Sequence, residues 1–129
     1  MAGTVTVTRT PLKSNQGIIA EKVQIDWLSD ASGNADSTVN LHGFLLKAIT
    51  DPSGSAAPTD NYDITLVADG IDQLGGALAD RDTANNEMVY PTATSAQVPI
   101  FLAGDHTFTI ANAGNAKQGT VYLYLRERL

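Results

Sequence analysis

With 129 residues and no cysteine, the chain is long enough to bury one hydrophobic core without a disulfide framework or a thiolate metal site. Eight Lys and Arg against fourteen Asp and Glu give a formal charge of −6, a surface that repels phosphate and excludes nucleic acid as a partner. No stretch has the length of a membrane span, and Met1-Ala2-Gly3-Thr4 lacks the basic and apolar regions of a signal peptide. The expectation is a single β domain over residues 1–129 without a membrane partner.

Thr4 to Thr8 alternates threonine with Val5 and Val7, the period of a half-buried strand. Pro11 removes a backbone donor and is expected to end it, so residues 1–10 form either an N-terminal arm or an edge strand. The next strand is expected from Ile18 to Leu28, with Val23, Ile25 and Trp27 on one face opposite Lys22, Gln24 and Asp26. Trp27, the only tryptophan, belongs to the core. A polar loop, Ser29 to Asp36, leads to a strand from about Val39 to Thr50 whose phase changes: Val39 and Leu41 alternate, then Phe44-Leu45-Leu46 run together. Gly43 at the change marks a β-bulge or a close backbone approach, and Phe44 and Leu46 are assigned to the core. Asp51-Pro52-Ser53-Gly54 is a turn that a loop extends to Asp60.

Tyr62, Ile64 and Leu66 alternate next. Between Asp69 and Asn86, Gly70, Gly75 and Gly76 argue against a long helix, since each costs about 1 kcal/mol there relative to alanine. A single helical turn near Ala77 to Asp82 is compatible with the sequence. Glu87 to Tyr90 is a short strand stopped by Pro91, and Gln97 to Leu102 another that Pro99 restricts to an edge or a strand start. Asp105 to Ala111 places His106, Phe108 and Ile110 on one face. Asn112-Ala113-Gly114-Asn115 is predicted as a hairpin turn before a last strand with Val121, Leu123 and Leu125 opposite Tyr122, Tyr124 and Arg126. About eight strands with little helix imply an all-β fold, an antiparallel β-sandwich or jelly-roll-like barrel.

Catalytic chemistry is sparse. Asp30 to Asp36 sets oxygen-bearing side chains at every second position, as a calcium loop does, but glycine falls fourth where the sixth is needed and Leu41 stands where a bidentate Glu is required. Asp69, Asp72, Asp80 and Asp82 form a looser acidic group, blunted by Arg81 and expected to be a solvated loop. His42 and His106 are too few for zinc and are placed on strands at the margin of the core. No Gly-X-Ser-X-Gly elbow or phosphate-binding loop occurs. The expectation is therefore no catalytic residue, no metal and no cofactor. A carbohydrate-active β-sandwich is the enzymatic alternative, because its two carboxylates need only meet in space.

Three features point to binding surfaces instead. Tyr122 and Tyr124 lie opposite the apolar face of their strand, where they form either an interface or a second buried face. Thr4, Val5, Thr6, Val7 and Thr8 could add a strand to a neighbour or form the edge of their own sheet. The long loop holding Asp72, Leu74 and Arg81 has no place in a simple two-faced sandwich and is a third candidate contact.

The segment Pro58-Thr59-Asp60-Asn61-Tyr62-Asp63-Ile64-Thr65-Leu66, followed by Gly75-Gly76-Ala77-Leu78-Ala79-Asp80-Arg81-Asp82-Thr83, resembles a small structural protein that recurs among the virion genes of tailed bacteriophages. Gly3-Thr4-Val5-Thr6-Val7 and Ile25-Asp26-Trp27 resemble the same group. The resemblance implies a non-enzymatic capsid decoration, or cement, protein on the capsid exterior. Its partners would then be the major capsid protein and further copies of itself, a homo-oligomer such as a trimer. Two other virion roles accompany it: a neck or tail adaptor, and a head-fibre or receptor-binding module. The resemblance carries no motif of functional residues to transfer.

Overall fold

A computed structural model describes residues 3–93, 96–97 and 99–127. Among the described residues ten strands follow one another: β1 (Thr4–Ser14), β2 (Gly17–Leu28), β3 (Ala35–Pro52), β4 (Asp63–Ala68), β5 (Ile71–Asp72), β6 (Glu87–Val89), β7 (Thr92–Ala93), β8 (Ala96–Gln97), β9 (Ile100–Ala111) and β10 (Gln118–Arg126). Among the described residues there is no helix, and the fold is all-β. Eight strands form one antiparallel sheet in the order β1-β2-β10-β3-β9-β4-β5, with β6 beside β3, while β7 and β8 pair with each other.

The 18-residue strand β3 organises the sheet. Its first part, Ala35 to Leu45, pairs with β9; its second part, Phe44 to Pro52, pairs with β10, and Ala48 to Thr50 pair with β6 on the other side. Between the two parts the register slips: Tyr124 faces Lys47, but Leu125 faces Leu45, leaving Leu46 as the extra residue of a bulge. The slip inverts the faces. Val39, Leu41 and Leu45 are buried before it, and Ala48, Thr50 and Pro52 after it. Phe44 and Leu46, expected in the core, therefore lie on the outer face and only half-buried. Gly43 is not the bulge but the close approach: its φ is +124°, and a Cβ there would meet the Arg126 carbonyl oxygen at 2.8 Å.

Three further expectations are corrected. Pro11 does not end β1, which continues to Ser14 with Pro11 opposite Glu21; among the described residues β1 forms a ladder only with β2, and an edge strand tolerates proline. Ala77 to Asp82 forms no helical turn. Leu74 and Gly76 instead accept the N–H groups of Ala77 and Ala79 in successive tight turns. Asn112 to Asn115 is not a hairpin turn, because β9 and β10 lie on opposite sides of β3. The connection belongs to a layer of loops at one end of the molecule. There the Ser29 N–H donates to the Lys117 carbonyl at 2.8 Å, Thr59 N–H to Ala113 at 2.8 Å and Gln118 N–H to Ala56 at 2.9 Å.

The sheet folds on itself around one core. Trp27 of β2 lies 5.6 Å from the ring of Tyr62, which precedes β4 at the far side of the strand order. Val23, Ile25, Val121, Leu123, Ile64, Leu66, Phe108 and Ile110 fill the space between, as their alternation predicts. Val5 and Val7 pack on its margin from β1.

Candidate interaction surface

The strands β2, β10 and β3 show the core one face and present the other outward. Alternation buries Val23, Ile25, Val121, Leu123, Ala48 and Thr50. It leaves the residues between them half-exposed in three rows across the strands. Thr120 stands between Asp26 on β2 and Asp51 on β3. Tyr122 stands between Gln24 and Ile49, and Tyr124 between Lys22 and Lys47. One end of the face is thus acidic, the middle aromatic and aliphatic, and the other end basic.

Local contacts hold these side chains in place. The Thr120 hydroxyl donates to Asp26 Oδ1 at 2.6 Å, and the Gln24 amide donates to Asp26 Oδ2 at 3.1 Å. Lys22 Nζ lies 5.6 Å from the centre of the Tyr122 ring, and Lys47 Nζ lies 4.7 Å from that of Tyr124. Both ammonium groups are drawn to the electron-rich ring faces. Partial burial raises the Tyr122 pKa, and Asp51 and Asp26 add to it. At the acidic end a groove of about 590 Å³ runs past Thr4, Thr6, Asp26, Asp51 and Thr120.

A second exposed feature is the tip of the β1–β2 hairpin. β10 pairs with β2 only as far as Glu21, so the stretch from Leu12 to Ala20 extends past the neighbouring strand. Ile18 and Ile19 are 68% and 51% exposed there. Lys13 is the one charged residue of that stretch, and Arg9 and Glu21 at its base pair with each other at 3.2 Å. A groove of about 330 Å³ separates it from His42 and Leu125.

The residues expected to make contacts divide between these features and the interior. Tyr122 and Tyr124 lie on the open face, not in a second buried one. Thr4, Thr6 and Thr8 point outward from β1, while Val5 and Val7 turn to the core. The long loop is different. Leu74 is buried, and Asp72 accepts backbone N–H bonds from Leu66, Leu74 and Gly76. Arg81 pairs with Glu87 at 3.6 Å and donates to the Ala79 carbonyl. These three hold the loop against the body.

The acidic groups behave the same way. Asp30 accepts the N–H groups of Ser32 and Asn34, and Asp63 that of Asp80. Asp82 accepts those of Ala84 and Asn85, which lower its pKa. Turn formation accounts for these carboxylates. Among the described residues no three His, Asp or Glu side chains converge on a metal position. His106 is buried with Nδ1 at 2.9 Å from the Gly104 carbonyl oxygen, and His42 is exposed.

Sequence reasoning missed Ile18 and Ile19 as surface residues, because their exposure depends on where β10 stops. It also missed Lys22 and Lys47, which only the strand order brings to either side of Tyr124. No protein-family model matches the chain, and no curated protein matches it significantly.

Proposed function

We propose that this chain is a non-enzymatic structural protein that works by fitting against other protein surfaces, and that it decorates the outer shell of a tailed-phage capsid. The observation that carries the reading is the β1–β2 hairpin tip. It extends past β10, exposes two adjacent isoleucines and holds Lys13 as its one charged residue. Exposed apolar side chains beside a groove are suited to a protein partner. The resemblance of residues 58–66 and 75–83 to virion proteins supplies the kind of partner, the major capsid protein. The net charge of −6 suits the outer surface better than a lumen filled with nucleic acid.

The test is addition of purified protein to expanded capsids that lack it, with occupancy read by electron cryomicroscopy. Decoration requires copies across the whole shell, and copies confined to one vertex transfer the role to a neck or tail adaptor. Ile18→Asp with Ile19→Asp should fold normally and lose at least about tenfold in affinity for shells, since one buried isoleucine contributes roughly 1.5–3 kcal/mol. Failure of the wild-type protein to bind shells ends the decoration reading.

A further inference from the structure

We propose that the outer face of β2, β10 and β3 binds a second copy of this chain, across a two-fold axis that lies in the interface at right angles to the strands. An interface between identical copies related by a two-fold must be self-complementary: where one residue meets a second on the other copy, that second residue meets the first in turn. The three rows on this face satisfy that condition in one orientation only. Rotation about an axis along the strands would set Asp26 and Asp51 against the same acidic row of the other copy. Rotation about the axis across the strands reverses the row order. It sets Lys22 over the second copy's Asp26 and Lys47 over its Asp51, with the converse pairs following by symmetry. Tyr122 and Ile49 then form the apolar centre.

Within one copy these charges cannot satisfy one another. Lys22 and Asp26 are four residues apart on one strand, about 13 Å at the rise of a β-strand. Both lysines accordingly lie over tyrosine rings. The acidic end supplies a receptacle, because the groove of about 590 Å³ is lined by Asp26 and Asp51 together. Two sheets stacked face to face stand about 10 Å apart, a gap that lysine and carboxylate side chains span from opposite sides.

The size of the face sets the strength. With β1 and β6 included, strands about 4.8 Å apart and some 20 Å long give roughly 500 Å² of flat area per copy. Stable interfaces bury about 600–1,000 Å² per partner, so association belongs at the weak end. Because the contact holds two charge pairs and their symmetry mates near solvent, it should weaken with salt. The proposal does not rest on the capsid reading, and a chain that dimerises but ignores shells would separate the two.

Sedimentation velocity on the full chain, from low micromolar to several hundred micromolar, is the test. Wild-type protein should show a reversible monomer–dimer equilibrium that shifts towards monomer as sodium chloride is raised. Lys47→Glu and Asp51→Lys should each weaken association by about tenfold or more, as loss of a close charge pair does. Mixed in equal amounts, they should recover a dimer, since each copy then offers the charges that the other lacks. Circular dichroism checks that both are folded; Lys22→Glu with Asp26→Lys is the equivalent pair on β2 should either fail. A wild-type chain that stays monomeric throughout overturns the proposal. So do variants that associate like wild type, or a mixture that stays monomeric.

Discussion

The two faces of β2, β10 and β3 share one backbone and have opposite chemistry. Inward, Val23, Ile25, Trp27, Val121 and Leu123 are nearly inaccessible to solvent and pack on the far half of the sheet. Outward, one position away in every case, are ammonium groups, tyrosines and carboxylates in half-exposed rows. Stability therefore resides on one side of these strands, and the other side is free to be shaped by binding. Substitutions should sort by face, not by position along the chain.

The largest effect is expected at Trp27. Trp27→Ala should cost about 3–5 kcal/mol in urea denaturation, as large-to-small core changes do. Its fluorescence should be blue-shifted in the folded protein, and emission like that of solvated indole would contradict the burial. Next comes Gly119, whose added Cβ would stand 2.7 Å from Trp27 Cζ2. Gly119→Ala should cost about 1–3 kcal/mol by overpacking, and an unchanged melting temperature would show that the ring can move aside.

Tyr62 makes a smaller and more specific prediction. Burial raises its hydroxyl pKa to about 12, while Thr50 beside it pulls the other way. Among the described residues neither Tyr62 Oη nor Thr50 Oγ1 meets hydrogen-bond geometry with a protein group, and Trp27 Nε1 is likewise buried without one. A pKa raised in the folded state means that the fold holds this proton more tightly than the unfolded chain does. Stability from this group is thus complete below pH 10 and falls as pH rises from about 10 towards 12. Tyr62→Phe should flatten that alkaline slope and change stability at pH 7 by less than about 1 kcal/mol, because an unpaired hydroxyl is removed with it. The smallest effect belongs outside: Tyr122→Ser should shift stability by about 1 kcal/mol or less in the monomer. A loss as large as that at Trp27 would erase the distinction between the faces.

Much of the inner face is readable from sequence. Over residues 23–27 of β2, 106–110 of β9 and 121–125 of β10 the alternation is uninterrupted, so burial of Ile25, Phe108 and Val121 follows from period two alone. β9 itself runs on from Ile100, joining what the sequence separates into two strands. β3 defeats that rule, because one extra residue at Leu46 moves every later side chain to the other face. The three consecutive apolar residues announce a phase change without saying where it falls. Carboxylates such as Asp30, Asp72 and Asp82 are ambiguous for a related reason: a turn cap and a ligand use the same oxygen. The outer rows are the least accessible to sequence reasoning. Lys22, Tyr124 and Lys47 are scattered along the chain and meet only because β10 lies between β2 and β3.

That placement of β10 also governs how the chain reaches its structure. β2 and β3 are made early, yet their facing edges stay unpaired until residues 118–126 have been synthesised and inserted between them. Pairing over such sequence separations is slow, because loop closure precedes any reward from contact. Meanwhile the nascent chain holds two open edges with apolar faces, the kind of surface that other chains add to. A chain that stops before residue 118 should therefore aggregate more readily than the full chain.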